Sequence, residues 1–248
     1  MHIEFILEEP SAEAFLQGML QKLLPAGVTS SFIVFQGKQD LLANLKPRLK
    51  GYRNWIPADY KIAVLVDEDR QDCQQLKAKL EAAAKAAGLA TKTHSKQGSF
   101  IVLNRIAIEE LEAWFFGDIV ALAQAYPGVS PTLGKRAPYR DPDAIAGGTW
   151  EALQRVLQKA GYFGGGLPKI EVAREMAKHM DPARNTSASF WSFRAGPCGS
   201  LSAECQHLVN PSSKMPPRAG SASWAMPLAT GRRWRPVNPR RSGVRLAR

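Results

Sequence analysis

Residues 60–66, YKIAVLV, restrict the fold more than any other segment, because they form a near-continuous apolar run that ends on Asp67-Glu68-Asp69. A strand with one wet face alternates apolar and polar residues. A strand without alternation is covered on both faces, as central strands of parallel sheets are. Parallel neighbours cannot be joined by a hairpin, so helices must connect them. The flanking sequence supplies both kinds of element. Residues 2–8 alternate, with Ile3, Phe5 and Leu7 on one side, and residues 30–36 (SSFIVFQ) read as another strand. Residues 89–93 and 99–104 are two further candidates. Between them a helix is expected from Pro10-Ser11 to about Leu24, with Ser11 as N-cap and Phe15, Leu16, Met19, Leu20 and Leu23 as its apolar stripe. A short helix from Asp40 to Leu49, distorted at Pro47, and one over 71–87, with Leu76 and Leu80 inward and Gly88 as its stop, follow the same logic. The stretch 106–125 reads as helix, 127–148 as a Pro- and Gly-rich loop, and 149–160 and 169–180 as shorter helices. The expectation is an α/β fold with a partly parallel sheet flanked by helices. Its parts are a core over 1–126, a loop and helical extension over 127–195 packed on that core, and a basic tail over 196–248.

Net charge is +11, but it is unevenly placed. Residues 197–248 hold nine basic residues against one acid, Glu204, while the preceding 196 hold 24 basic and 21 acidic residues. Seven of the 17 prolines also fall in this tail, which has no run of period 2 or 3.6 and so no face to bury. That composition predicts disorder. A basic arm for nucleic acid, a terminus without a role, and a change of reading frame after Gly196 are the three readings it leaves open. No apolar run reaches the ~18 residues of a membrane span. The first apolar run carries Glu4, Glu8 and Glu9, unlike a signal peptide. Three cysteines do not make a disulfide framework, and a reducing, cytoplasmic setting is expected.

The acids sit where chemistry is expected. In open α/β sheets ligands bind outside the carboxyl ends of the strands. Two strands here end in acids, one in Glu8-Glu9 and the other in Asp67-Glu68-Asp69. In extended chain Asp67 and Asp69 share a side. If the two strands are neighbours, the carboxylates converge and repel unless a cation neutralises them. Oxygen donors with few histidines favour Mg²⁺ or Mn²⁺ over Zn²⁺. The plainer reading is that such acids cap the positive ends of the following helices.

The segment Glu9-Pro10-Ser11-Ala12-Glu13-Ala14-Phe15-Leu16, after an apolar strand, resembles the first motif of the Toprim (topoisomerase–primase) fold, and Asp67-Glu68-Asp69 resembles its Asp-x-Asp. The chain departs from the first motif at Pro10, where glycine is usual, and the spacing to Glu13 favours Glu9 over Glu8. With Glu110-Leu111-Glu112-Ala113-Trp114, Asp118, Pro168-Lys169 and Ser189-Phe190, residues 1–195 resemble an uncharacterised bacterial family of the Toprim-like group, the domain of unknown function numbered 4276. The resemblance implies metal-dependent phosphodiester chemistry. Asp67 and Asp69 would hold Mg²⁺ or Mn²⁺, and Glu9 would serve as metal ligand or general acid/base. Glu110 and Glu112 would add ligands and Lys169 would contact a phosphate. The relatives imply DNA processing or defence against mobile DNA, with an ATPase partner and nucleic acid as substrate. The alternative is a non-catalytic interaction module that retains the fold, which the nearly neutral body favours.

Other chemistries fit less well. A haloacid-dehalogenase pattern needs Thr or Val where Gln71 stands, and a receiver-type phosphoacceptor site needs a lysine that Asn104 does not supply. Gly128 to Lys135 has five residues between its glycines and follows a helix, so it is no P-loop. Cys198, Cys205 and His207 lack zinc-site spacing. Trp114, Phe115 and Phe116 read as core rather than as a base-stacking platform.

Overall fold

The computed structural model describes residues 1–95 and 99–198; the basic tail read from the sequence lies outside them from residue 199 onward. Strands β1 (His2–Leu7), β2 (Thr29–Val34), β3 (Tyr60–Asp67) and β4 (Val102–Ala107) form one sheet in the order β2-β1-β3-β4, and every pairing is parallel. Leu7 pairs with Leu65. Two further steps along this register set Glu9 level with Asp67, at the carboxyl edge.

Each strand is followed by a helix. These are α1 (Pro10–Leu23), α2 (Lys38–Arg53), α3 (Cys73–Ala86) and, after β4, α4 (Glu112–Phe116) and α5 (Ile119–Ala125). The chain closes with α6 (Thr149–Lys159), α7 (Lys169–His179) and α8 (Ala188–Cys198). Strand alternation sorts the side chains into two cores. Ile3, Phe5 and Leu7 face α1 with Phe15, Leu16 and Met19, and Trp114, Phe115, Met176, Phe190 and Phe193 complete that layer. Ile6, Ile62, Val64 and Val66 face Leu41, Leu45 and Leu49 of α2 and Leu76 and Leu80 of α3. The run 60–66 is therefore apolar throughout because both of its faces are covered. Among the described residues no helix is long and apolar enough to cross a membrane.

The structure corrects several local expectations. Glu9, not Ser11, is the N-cap of α1, because Pro10 takes the first helical position, where its missing N–H costs nothing. Pro47 does not end α2, which runs through it to Arg53. Residues 89–93 form no strand; Thr91 makes a single bridge to Val102. The helix expected over 106–125 is strand as far as Ala107 and then breaks between α4 and α5. The break has a cause. Asn185 Nδ2 takes the Trp114 carbonyl at 2.7 Å and the Thr186 N–H takes that of Gly117 at 2.9 Å, so neither continues a helix. Asp118 then caps α5 through the Ala121 N–H and holds Arg184 with two bonds of 2.7 and 2.9 Å. The helix α8 was not legible in its sequence, and it carries the backbone past Gly196.

Helix α7 runs alongside α1 in the same direction. A Cβ on Gly18 would stand 2.9 Å from the Ala177 Cβ, so the two backbones approach as closely as side-chain-free contact permits. Lys22 Nζ then caps α7 by donating to the carbonyls of Ala177, Lys178 and Met180 at 2.8–2.9 Å. On the opposite face Glu81, nearly buried, accepts from Asn104 Nδ2 at 3.0 Å and Thr93 Oγ1 at 3.1 Å and pairs with Lys77 at 3.2 Å. Burial alone would raise its pKa, but hydrogen bonds from Thr91 and Asn104 and the Lys77 charge hold it down at about 2.

Two predictions follow from this packing. Gly18→Ala raises helix propensity yet must push α1 from α7, so it is expected to lower stability by about 1–3 kcal/mol, as overpacking does. Gly51→Ala, in α2 where an added Cβ meets nothing within 4 Å, is expected to raise it by roughly 0.5–1 kcal/mol. Urea midpoints that move in the same direction for both would refute the contact. A carboxyl whose folded pKa is depressed contributes stability above its ordinary value and loses it as pH falls toward the folded value. Glu81→Gln is accordingly expected to cost roughly 2–3 kcal/mol at pH 7 and almost nothing near pH 2. Denaturation at the two pH values measures it, and an equal cost at both would exclude the charged network.

Candidate functional site

The strand order places a topological switch at β1 and β3. From β1 the chain leaves to β2 on one side, and it returns across β1 to β3 on the other. Ligand crevices of open α/β sheets lie at such a reversal, outside the carboxyl ends. Glu8 and Glu9 follow β1 there and Asp67 ends β3. Glu8 is buried and its Oε2 accepts the Asp67 N–H at 3.0 Å, so a side chain continues the ladder where the strands part. Burial raises its pKa, against the lowering effects of the Asp67 N–H and Lys38. Glu9 is partly exposed; its Oε1 accepts from Ser11 Oγ and stands 3.6 Å from Lys169 Nζ.

Asp67 and Glu112 are buried at this edge together with Glu8. Asp67 is 9% exposed, and burial raises its pKa well above the usual carboxylate range, with Glu112, Glu8, Glu9 and Asp69 adding to the effect. Glu112 is 1% exposed, in the first turn of α4, and its Oε2 has no hydrogen-bond partner. Burial pushes its pKa up to about 7 against the pull of Lys169. Lys169, at the start of α7, is the cation these acids share. Burial would lower its pKa, but Glu112, Glu9, Asp67 and Glu110 together raise it. Its ammonium also lies 5.7 Å from the Trp150 ring centroid.

Two of the other predicted residues, Asp69 and Glu110, are engaged by different partners. Asp69 does not share a side with Asp67 in extended chain, because the strand ends at Asp67 and Asp69 and Arg70 turn left-handed, at φ +48° and +62°. Asp69 instead pairs with Lys38 Nζ at 2.8 Å. Glu110 Oε2 accepts from the Thr149 hydroxyl at 2.9 Å and the Trp150 N–H at 2.7 Å, so it caps α6. The loops after β3 and β4 are zipped together by the Glu68 and Asp69 N–H groups on the Ala107 and Glu109 carbonyls. Glu109 is itself left-handed at φ +59°. Conformations of this kind persist only where surrounding structure imposes them. A cleft of about 280 Å³ opens here, lined by Asp69, Arg70, Glu109, Glu110, Gly148 and Glu151.

Lys38 and Trp150 were missed by the sequence reading. Lys38 is 7% exposed, but a lysine at a helix start carries no signal of burial. Trp150 belongs to a helix whose approach to the edge depends on Glu110.

The acids at this edge offer carboxylate oxygens, of which Glu112 Oε2 is buried without a hydrogen-bond partner. Among the described residues no three His, Cys, Asp or Glu side chains are gathered as a ready cage. Mg²⁺ does not require one, since it keeps several waters and binds through one or two carboxylates.

A family model described as Domain of unknown function (DUF4276) matches residues 7–195. No curated protein and no solved structure matches the chain.

For a carboxyl whose folded pKa is raised, stability is full below the unfolded value and is lost as pH rises through the folded one. Glu112 therefore costs the fold increasingly from about pH 4.5 to about 7. Glu112→Gln, neutral and of the same shape, is expected to stabilise the metal-free protein by up to roughly 3 kcal/mol at pH 8 and to change little at pH 4. Equal effects at both pH values would show that its charge is not the burden.

Proposed function

The chain belongs to the DUF4276 family, whose model spans residues 7–195, and from that premise we propose that it is a Toprim-like protein of metal-dependent phosphodiester chemistry. The observation that carries the reading is the buried acidic pair at the switch crevice, with Glu112 Oε2 unpartnered and Asp67 beside it in effect. Buried carboxyls with raised pKa values cluster at functional sites. Mg²⁺ or Mn²⁺, when bound, supplies a Lewis acid that offsets charge on the phosphoryl oxygens.

The chain's own residues divide the remaining work. Asp67 and Glu112 would hold the ion. Glu9, the partly exposed acid of the group, would take or return a proton at its Oε2, since Ser11 and Lys169 engage its Oε1. Lys169, whose ammonium now offsets these acids, would be free to contact a phosphate oxygen were their charge shared with a bound cation. Asp69, held by Lys38, and Glu110, holding α6, fix the loops around the crevice and would reach the ion only by leaving those partners. The near-neutral body fits an ATPase partner that brings the nucleic acid. The absence of a ready three-ligand cage among the described residues favours the second reading, an interaction module that retains the fold.

Metal distinguishes the two. Millimolar Mn²⁺ or Mg²⁺ is expected to raise the melting temperature by several degrees through ligand linkage. In Asp67→Asn and Glu112→Gln the metal-free protein should melt at the same or a higher temperature, and the metal response should disappear. Metal-dependent hydrolysis of a phosphodiester should vanish in the same variants. A metal response unchanged in both variants leaves the interaction module.

A further inference from the structure

The far end of α2 carries a different chemistry from its start. Residues 41–53 contain no acid, and Lys46, Arg48, Lys50 and Arg53 are all exposed. Trp55 follows, 57% exposed, the highest value for a large apolar side chain among the described residues. Beneath it opens a groove of about 430 Å³, within the ~300–1,000 Å³ that ligand pockets occupy. Arg48 and Trp55 form its rim, Pro47 and Ile33 its walls, and Glu4 and Tyr52 its floor. Gly51 lines it too, and an added Cβ there would meet nothing within 4 Å.

Glu4 is out of place for packing alone. It lies on the sheet face that Ile6, Ile62 and Val64 fill with hydrocarbon, and it is 8% exposed. The Tyr52 hydroxyl hydrogen-bonds to it. No ion pair reaches it among the described residues. A carboxylate offers about four acceptor positions, and Glu4 lines the groove.

Three features select the guest. The floor wants N–H donors, the indole wants a flat ring, and Arg48 repels a cation but attracts a phosphate. A guanidinium would satisfy the first two and clash with the third. Guanine presents N1–H and N2–H side by side on a ring joined to a phosphate, whereas adenine and cytosine set a donor beside an acceptor. Of the four basic residues Arg48 lines the groove; at 100° per residue Lys46, Lys50 and Arg53 fall on the other side of α2. We infer that this groove binds an unpaired guanine of a nucleic-acid strand, the base stacked on Trp55, its N1–H and N2–H donated to Glu4, and its phosphate on Arg48. Stacking on an exposed aromatic beside positive charge is the general physics of single-strand binding. Arg48 is ten residues along α2 from Lys38, about 15 Å from the acidic edge. The inference does not require that edge to be catalytic.

The test uses the full chain with a metal chelator present and reads fluorescence anisotropy of labelled pentamers. A central guanine among thymidines is expected to bind at least 10-fold more tightly than thymidines alone. Replacing that guanine by hypoxanthine, which lacks the 2-amino group, should remove most of the preference. Basic residues elsewhere bind both pentamers alike, so the preference isolates the groove. Trp55→Ala should weaken guanine binding about 10-fold, and Glu4→Gln should abolish the preference. Gly51→Leu fills the groove without removing a contact; it should abolish the preference while melting no lower than the parent. Equal binding of the two pentamers, or a preference that survives Glu4→Gln or Gly51→Leu, overturns the inference. Free guanosine monophosphate competing as well as the pentamer overturns the strand in favour of a nucleotide, and methylguanidine competing better overturns the base.

Discussion

Every crossover in this protein answers to the burial of β3 on both faces. Parallel strands must be linked over the sheet, and the right-handed sense of that link decides which face each helix covers. Moving from β1 outward to β2 puts α1 on one face. Returning over β1 to β3 puts α2 on the other, with α3 beside it. The two apolar layers and the reversal between β1 and β3 are one consequence. So is the crevice, because the loops after β1 and β3 leave in opposite directions and part the sheet's edge between them.

Electrostatics at that edge is asymmetric. The helices after the strands all begin there, and their positive ends favour acids at Glu9, Glu112 and Asp72. Asp72 shows the ordinary outcome, capping α3 through the Gln75 N–H at 2.9 Å. Glu112 shows the other, a first-turn acid with no exposure and no bond to its Oε2. The field of a helix terminus is worth at most about 2 kcal/mol, less than the several that burying a charge costs. Caps explain acids that accept an N–H, as Asp72 does at the surface and Asp118 does in the interior. They do not explain Glu112, whose Oε2 accepts none.

Much of this was legible in the residues. The apolar run before Asp67 announced a central strand, and the acids at two strand ends announced the edge. Strand order was not legible, since parallel pairing leaves no mark on sequence beyond hydrophobicity. It is order that makes Glu9 and Asp67 neighbours. Asp69 misled because alternation holds only while the chain stays extended, and the backbone turns left-handed two residues past the strand. The helix expected over 106–125 failed for a related reason, because the carbonyls that break it answer to Asn185 and Thr186, some 70 residues away. The start of α8 depends likewise on Asp143, which accepts from Ser187 and Ser189 across more than 40 positions.

The contact between Gly18 and Ala177 sets a rule for the family's sequences. Lys169 stands at the start of α7, and Ala177 of the same helix meets Gly18 of α1. The two positions therefore share one allowance of volume. A relative with alanine at the first must carry glycine at the second, and one that enlarges both must shift the helix that delivers its counter-charge. Positions 18 and 177, which touch no ligand, should co-vary as a pair, and lineages that break the pairing should also have changed residue 169.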